Sequence, residues 1–389
     1  MIFSFVIELY SVFANPEEWQ YRKKLRLGEL PVLPVIDIVR SMSLKDQIQL
    51  ALSSKKYEAV CSIARVKVGW INFHVQDEYT CLDLGKSISL CCGNKEPAYK
   101  KDKMSHQKLS KWLSAGNSAT PLQRLDCLSE EINSIFRSEH HHLFIYLDTM
   151  KNASVKDIMD VPMFKNCEII TLVRGEIESD ELHCVLNTAK NLKNFRVWGT
   201  KVPSDFQHER VFSIQSFEYE DTNWVKLDYL LNMRNKIYVT LGTTLLTYSD
   251  FNQFLKFWVN SEVDMFVEFC IKMEGNIDPQ VLFDGLLRLD STRFTDPVYF
   301  IIAGSTMVNR KNPFLYVQYT HGRLIFWAHT EKETFQSEFD ALRILEKEAE
   351  LREKMEGIEN PEQDDMRRMK ELDTQLNELL AEGKFIIGE

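Results

Sequence analysis

The clusters best suited to chemistry in this chain are a run of histidines at 140–142 and the adjacent cysteines Cys91 and Cys92. Imidazoles and thiolates bind zinc, but three consecutive histidines point in different directions, and no carboxylate or cysteine pairs with them at ligand spacing. Adjacent cysteines rarely bridge, because the geometry of a disulfide is restrictive. We therefore predict a polar cap that leads into a strand at Leu143, and buried thiols at the end of a strand.

Catalytic signatures are missing from the rest of the sequence as well. It contains no phosphate-binding loop, no G-x-G-x-x-G, no G-x-S-x-G and no H-E-x-x-H. Its eight cysteines are scattered without a C-x-x-C pair, which is typical of the reduced thiols of an intracellular protein. We predict a protein that is not an enzyme and that uses neither a cofactor nor a metal. A deep cavity with convergent polar groups would reopen the question of catalysis.

The net charge of −10 at pH 7 is concentrated at the C-terminal end, where residues 331–389 carry 18 acidic and 9 basic residues. Nucleic-acid binding needs a cationic surface, and the local lysine cluster at 95–103 is typical of a solvated linker. The first 14 residues are apolar but too short to span a bilayer, and they lack the basic start of a signal peptide. We predict a cytoplasmic or nuclear protein that binds neither nucleic acid nor a membrane.

Residues 30–64 predict three short amphipathic helices. Pro34 suits the first turn of a helix, because its missing N–H would have no partner there. Ser43 and Ser54 suit the position just before a helix, where a hydroxyl accepts from free backbone N–H groups. Each segment then repeats apolar residues at helical spacing. The three stripes are Val35, Ile38, Val39 and Met42; Leu44, Ile48, Ala51 and Leu52; and Tyr57, Val60, Cys61 and Ala64.

These helices carry more apolar surface than they can bury among themselves. Leu33, Ile36 and Leu50 lie off the stripes, so the helices are apolar on more than one side. Domains below about 40 residues usually need disulfides, a metal or a partner to be stable, and this segment has one cysteine and no ligand cluster. One hypothesis is a module that docks on another protein. The alternative is an ordinary core of three helices packed on the rest of the chain.

Strands and helices alternate in the remainder of the chain, which predicts a mixed fold of the α+β or α/β class. The strand centres after residue 143 recur about every 20–30 residues, which is typical of leucine-rich-like repeats that stack into an arc. A single wound α/β sheet is the competing architecture. The predicted strands are 143–147, 168–173, 194–198, 214–219, 236–241, 265–273, 298–303, 314–320 and 323–329. The predicted helices among them are 154–160, 179–190, 223–231 and 249–259.

Two strongly charged helices are predicted at the C-terminal end, at 331–355 and 362–383. The second repeats apolar residues at a and d positions over less than two heptads. This length favours a helical hairpin or a partner-docking arm over a long coiled coil. The a and d residues are Met369, Leu372, Leu376 and Leu379.

Side-chain alternation along the strands selects a candidate binding surface. If Phe195 and Val197 face the core, then Arg196 and Trp198 lie on the opposite face of the sheet. Arginine, tryptophan and tyrosine dominate the binding energy of many protein interfaces. We therefore predict a recognition surface for a target protein, with packing of Trp198 over a neighbouring helix as the alternative. The residues assigned to this face are Arg196, Trp198, Glu218, Tyr238, Thr240 and Glu268.

The N-terminal helical segment resembles an F-box in its Leu33-Pro34 start and in the apolar and acidic positions that follow, Ile38, Val39, Met42, Asp46, Ile48, Leu50 and Leu52. The segment resembles the F-box found in a large nematode group of proteins, in which the F-box precedes an F-box-associated domain of the second type. The downstream chain resembles that domain, best over residues 243–273. The predicted organisation is an extension at 1–26, an F-box at 27–65, short strands and a linker at 66–106, a repeat-like F-box-associated α/β domain at 107–330 and an acidic helical tail at 331–389.

The resemblance implies a substrate-recognition subunit of an SCF-type ubiquitin ligase. Its F-box would dock a Skp-type adaptor and through it a cullin, while the C-terminal domain would bind an unknown target protein. The adaptor-binding residues that the resemblance implies are Leu33, Pro34, Ile38, Val39, Leu44, Ile48 and Leu50. The alternative function is a repeat-scaffold interaction protein unrelated to ubiquitin, in which the helices serve only as a cap.

Overall fold

A computed structural model of the chain describes residues 27–86, 88–93, 103–113, 119–273, 275, 277–305, 307, 309–330, 335–355, 363–381 and 385–388. The N-terminal extension and most of the predicted linker, with its lysines at 95, 100 and 101, lie outside the described residues. The chain divides into two compact units, Met1–His142 and Leu143–Glu389. The division falls later than the predicted boundary at 106/107, because a helix at Pro121–Ile135 packs on the helices and strands before it.

The first unit contains a group of helices and a small sheet. The sheet has the order β1-β2-β3-β4, with antiparallel pairs up to β3 and a parallel pair between β3 and β4. Its helices are α1 (Val32–Ser41), α2 (Leu44–Ser53), α3 (Lys55–Ala64), α4 (His106–Leu109) and α5 (Pro121–Ile135). Its strands are β1 (Val66–Val75), β2 (Tyr79–Leu84), β3 (Ile88–Gly93) and β4 (Lys103–Met104), and β5 (Phe136–Tyr146) includes the boundary between the units.

The three N-terminal helices begin where the sequence signals predict. Pro34 lies in the first turn of α1, and Ser43 caps α2 by accepting the N–H of Asp46 at 3.2 Å. Ser54 caps α3 by accepting the N–H of Tyr57 at 3.3 Å. Each hydroxyl satisfies a backbone donor that has no partner within its helix, so the predicted helix starts are confirmed.

A buried glutamine joins the first two helices. Gln47 is 2% exposed, and its Nε2 donates to the carbonyl oxygens of Val39 and Met42 at 2.9 Å each. These carbonyls belong to the last turn and the C-cap of α1, where helical hydrogen bonding ends and side-chain donors are often used. Arg40 Nε donates to the Ala64 carbonyl at 3.3 Å and so connects α1 to the end of α3. The three helices therefore form one internally bonded module, which we call the helical module (residues 32–64).

The second unit is built on a large mixed sheet. Strands β6 to β10 are parallel and adjacent in chain order, and the strands beyond β10 pair antiparallel in the order β10-β14-β13-β12-β11-β15. The strands are β6 (Ile169–Glu176), β7 (Asn194–Lys201), β8 (Ser216–Asp221), β9 (Lys236–Thr243), β10 (Phe266–Lys272), β11 (Leu289–Ser291), β12 (Val298–Ile302), β13 (Phe314–Thr320), β14 (Arg323–His329) and β15 (Phe385–Ile387). The helices are α6 (Val155–Asp160), α7 (Ser179–Thr188), α8 (Leu227–Leu231), α9 (Tyr248–Val259), α10 (Pro279–Leu282), α11 (Gln336–Met355) and α12 (Gln363–Ala381).

The parallel strands follow the predicted alternation closely. Each predicted strand from 168 to 273 overlaps an observed one, and α6 to α9 lie in the connections where helices are predicted. Parallel strands need crossover connections, which the helices supply. Adjacency in chain order is common to stacked repeats and to a singly wound sheet, so the leucine-rich-like interpretation stays a prediction. None of the described helices has both the length and the apolar character that crossing a membrane requires.

The acidic C-terminal segment packs as part of the second unit. Helices α11 and α12 lie against each other, and α11 also packs on β12. Leu372 and Leu376, at the predicted a and d positions, are buried in a core that includes Phe300 and Phe314 of the sheet. The contact between α11 and α12 favours a helical hairpin over a partner-docking arm, although Met369 and Leu379 of the apolar stripe are only partly buried.

A buried arginine fastens the loop before β13 to the end of α9. The Arg310 side chain is fully buried, with its guanidinium carbon 3.9 Å from the centre of the Trp258 ring and Nη1 donating to the Trp258 carbonyl at 2.6 Å. Asp264 lies 3.8 Å from Arg310 Nε and accepts the backbone N–H groups of Lys311 and Asn312. Burial lowers the pKa of Arg310 to about 10, which leaves the side chain charged at neutral pH.

Arg310→Ala is expected to lower the free energy of unfolding of the second unit by about 3–5 kcal/mol, because it removes one partner of a buried ion pair and the donor to the Trp258 carbonyl. Chemical denaturation of the full chain measures this change. The matched control is Arg367→Ala: the Arg367 side chain is 72% exposed, and its pair with Asp364 contributes less than about 1 kcal/mol. Equal shifts of the denaturation midpoint in the two variants would contradict the assignment.

Candidate interaction surfaces

The three histidines that drew attention in the sequence lie inside a strand. Strand β5 begins at Phe136, so His140, His141 and His142 do not form a cap before the strand, and the predicted start at Leu143 is wrong. The His140 ring lies 4.5 Å from the Trp70 ring of β1, and His142 is buried. Packing of this kind explains the histidines as part of the sheet. No group of three or more metal-binding side chains occurs among the described residues.

The cysteine pair is buried at the end of β3, as predicted. Cys91 and Cys92 are both buried, and burial raises the pKa of Cys92 to about 12. A thiol with so high a pKa is protonated at neutral pH and is a poor nucleophile. The sequence did not indicate that Cys81 pairs directly with Cys91 across β2 and β3, with 2.9 Å between their sulfur atoms.

The helical module leaves part of its apolar surface open. In α1, Leu33 is 74% exposed, Val32 is 57% exposed, and the adjacent Pro34 is exposed as well. In α3, Ile63 is 57% exposed. Ile38 and Leu44 are partly exposed. Exposed apolar side chains are common one at a time, but a concentration of large ones on a short segment indicates an interaction surface. Four of the seven predicted adaptor-binding residues, Leu33, Pro34, Ile38 and Leu44, therefore have surface available to a partner.

The other three predicted adaptor-binding residues are buried. Val39 and Ile48 have no exposed surface, and Leu50 is 1% exposed, so these side chains form the interior of the helical module. Their assignment as adaptor-contacting residues is corrected: they hold the helices together and cannot touch a partner in this conformation. Val32 and Ile63, which the sequence did not single out, are the exposed apolar residues instead. Val32 is the first residue of α1.

The six residues predicted to recognise a target lie on one face of the parallel sheet. Strand register pairs Arg196 with Glu218, Glu218 with Thr240, and Tyr238 with Glu268. Side chains paired in this way stand about 5 Å apart on neighbouring strands. Trp198 follows Arg196 by two residues and shares its face. We call this set of six residues the recognition face.

The opposite face of the same strands packs against helices and loops. Phe269 lies 5.4 Å from the Phe254 ring of α9, and Tyr219 lies 5.4 Å from the Trp224 ring. Phe195 and Val197 are buried there as well, which confirms the alternation that the sequence predicts for β7. The recognition face is thus the side of the sheet that these helices do not cover, and Tyr238 on it is 56% exposed.

Charges and an indole donor are concentrated on the recognition face. Arg196 lies 5.5 Å from the Trp198 ring, and its Nε donates to Asn194 at 3.2 Å. Burial raises the pKa of the neighbouring Cys270, and the carboxylates of Glu268 and Glu218 raise it further. Among the described residues, the buried indole N–H of Trp198 has no hydrogen-bond partner. The buried indole N–H groups of the core residues Trp112 and Trp258 also lack partners among the described residues, so this feature does not by itself mark a binding surface.

Comparison with known families identifies one segment of the second unit. Residues 205–271 match the family model described as F-box associated. The segment includes β8, β9 and most of β10, and it carries four of the six residues of the recognition face, Glu218, Tyr238, Thr240 and Glu268. No curated protein and no solved structure matches the chain. The match supports an F-box-associated domain in the second unit.

Proposed function

We propose that this chain is a substrate-recognition subunit of an SCF-type ubiquitin ligase. The match of residues 205–271 to the F-box-associated family carries the proposal. A subunit of this kind also needs a docking site for another protein. The open apolar surface of the helical module, which precedes the matched segment in the chain, fits this need. The helical module is in this proposal the F-box, which the sequence resemblance placed at 27–65.

The docking half of the proposal uses Leu33, Pro34, Ile38 and Leu44, extended by Val32 and Ile63. These side chains offer apolar area that is exposed in the isolated chain and would be removed from water by the groove of a Skp-type adaptor. Burial of apolar surface contributes about 25 cal/mol for each Å² removed from water. The adaptor would connect the chain to a cullin. Within this assembly the chain itself would not make or break bonds.

The contribution of such a subunit is proximity. A target held on the second unit stays at a high effective concentration near the ubiquitin-conjugating enzyme that the cullin recruits. The recognition face supports this role, because it presents an exposed tyrosine, a tryptophan and an arginine, the residue types that most often anchor protein interfaces. A ligase of this type would act in the cytoplasm or the nucleus.

Affinity purification of the full chain from cells, followed by mass spectrometry, tests the proposed function. We expect recovery of a Skp-type adaptor, a cullin and at least one further protein that accumulates when the chain is depleted. Recovery of partner proteins without adaptor or cullin would contradict the ligase assignment and would fit a repeat-scaffold interaction protein.

Tyr238→Ala is expected to weaken target binding by about tenfold or more and to leave adaptor binding unchanged, because an exposed aromatic anchor of an interface contributes on the order of 1–2 kcal/mol. Quantitative mass spectrometry of the purified complexes measures the two effects separately. Phe294→Ala is the matched control, since Phe294 is an aromatic residue of the second unit that is 42% exposed and lies off the recognition face. The recognition face is excluded as the target site if both variants retain the target equally.

A further inference from the structure

A cavity of about 520 Å³ lies at the amino-terminal end of two parallel strands, within the segment that matches the F-box-associated family. Its lining comes from the turns before β8 and from the end of α8 through the first residue of β9, Lys236. Sites of about 300–1,000 Å³ are the usual size for small-molecule ligands. None of the predicted target-binding residues lines this cavity, so it is a site separate from the recognition face.

The cavity contains a buried lysine. Lys236 is 6% exposed, and its Nζ donates to the Ser213 carbonyl at 2.8 Å. Among the described residues no carboxylate lies within 4.0 Å of this ammonium group. An ammonium group has three N–H donors, and a buried charge without a counter-ion is costly. Burial accordingly lowers the pKa of Lys236. An anion in the cavity would supply the missing counter-charge.

A second cation in the lining is hydrogen-bonded to the backbone. Arg234 Nη1 donates to the carbonyls of Leu231 and Met233 at 2.6 Å each, and its guanidinium carbon lies 5.3 Å from the Phe257 ring. Arg234 and Lys236 both line the cavity and are two residues apart in the chain. A planar guanidinium held in this way is pre-organised to donate to a carboxylate.

The histidine of the lining is neutral. His208 Nδ1 accepts the backbone N–H of Arg210 at 3.0 Å, so the ring proton must be on Nε2, which faces Asn187 Oδ1 at 3.1 Å. Burial lowers the pKa of His208 and favours this uncharged form. Both ring nitrogens are engaged, and the ring is therefore not positioned as a free base for catalysis. The cavity has the character of a binding site.

The charge and the walls of the cavity define the chemistry of its ligand. Lys236 and Arg234 contribute two positive charges and Glu209 contributes one negative charge, so the lining carries a net charge of +1. This charge matches a carboxylate better than a phosphate group, which carries about −1.5 to −2. The rings of Phe212 and Tyr229 stack 5.2 Å apart and form an apolar wall. The ligand thus combines one negative charge with an apolar body.

We propose that this cavity binds the C-terminal carboxylate of a target protein, with the side chain of the last residue against Phe212 and Tyr229. That the ligand belongs to a protein rests on the proposed function. That the ligand is an apolar carboxylate rests only on the residues that line the cavity. Lys236 and Arg234 would donate to the carboxylate oxygens, and charge-assisted hydrogen bonds of this kind are among the strongest that proteins make.

Titration of the full chain with N-acetyl-phenylalanine, its C-terminal amide, N-acetyl-Gly-Gly-Phe and inorganic phosphate tests the proposal. We expect N-acetyl-phenylalanine to bind at least about tenfold more tightly than its amide, because the amide lacks the negative charge. We expect the tripeptide to bind at least as tightly as the single residue, as a chain end would. Lys236→Met should abolish acid binding, and the control Lys226→Met, at an exposed lysine, should leave it unchanged.

Melting temperatures separate loss of the site from loss of the fold. Lys236→Met removes a buried charge without a counter-ion, which is stabilising, and the donor to the Ser213 carbonyl, which is destabilising. We expect the two effects to offset each other and the melting temperature to stay close to that of the parent chain. Equal binding of acid and amide, tighter binding of phosphate, or no binding of either acid would overturn the proposal. Binding of the single residue but not of the tripeptide would overturn the protein occupant and indicate a free organic acid. Adaptor binding does not involve this cavity, so failure here together with intact adaptor capture leaves the proposed function standing.

Discussion

Leu33→Asp is expected to abolish capture of a Skp-type adaptor while leaving the stability of the chain unchanged. Leu33 is 74% exposed, so a charged side chain at this position stays in water and should change the free energy of unfolding by less than about 0.5 kcal/mol. In a complex the same side chain would be buried in an apolar groove. An unpaired carboxylate in such a groove is strongly unfavourable, and we expect adaptor binding to weaken by about a hundredfold or more, beyond the range of a pulldown.

Leu245→Asp is the matched control for this experiment. Leu245 is also 74% exposed, and its substitution makes the same chemical change as Leu33→Asp. It lies in the second unit, between β9 and α9. A pulldown with purified adaptor compares the two variants, and thermal melts confirm that both are folded. If Leu33→Asp retains the adaptor as well as Leu245→Asp does, the exposed surface of the helical module is not the docking site.

Ile48→Asp is expected to unfold the helical module. Ile48 has no exposed surface, so the new carboxylate would be buried among apolar side chains without a partner. We expect a loss of stability of more than about 4 kcal/mol, which exceeds what most single substitutions cause. Amide hydrogen exchange over α1 to α3 measures this effect directly. Adaptor capture should be lost too, but as a consequence of unfolding.

Ile48→Val provides the control for the buried position. It removes one methylene from the core of the helical module and should cost about 0.5–1.5 kcal/mol while adaptor capture persists. Slow exchange in α1 to α3 of the Ile48→Asp variant would contradict the buried position of this side chain. The contrast with Leu33 explains why these two residues, although both belong to the resemblance to an F-box, have different roles and must be tested separately.

The elements of this fold could be predicted from the sequence because their signals are local. Ser43 and Ser54 mark helix starts by the hydrogen bonds that their own hydroxyls make, and the period of β7 follows from the alternation of Phe195 and Val197 with their neighbours. The alternation also selected the recognition face, because strand geometry alone determines which residues share a side. These features need no knowledge of the rest of the chain.

The errors concern properties that depend on distant residues. Val39, Ile48 and Leu50 are apolar in the same way as Leu33, and only the packing of three helices decides which of them is covered. The short strand β15 is defined by its pairing with β11, far away in the sequence, and carries little signal of its own. The strand containing the histidines begins at Phe136 without a turn residue between it and α5.

The cavity at Lys236 could not be predicted for the same reason. Lysine at the start of a strand is ordinarily solvated, and nothing in its neighbours indicates burial. Its environment arises when the turn that contains Ser213 lies against the start of β9. Gln47 is a parallel case, since its role in joining α1 to α2 depends on the carbonyls of Val39 and Met42.

Binding of a purified Skp-type adaptor to the purified full chain, measured by isothermal titration calorimetry with hydrogen exchange on the product, is the most direct test of the central claim. We predict a one-to-one complex in which exchange slows in α1 to α3. We also predict that Leu33→Asp abolishes the heat of binding and Leu245→Asp does not. Absence of binding by the folded parent chain, or binding without protection of α1 to α3, would contradict the account.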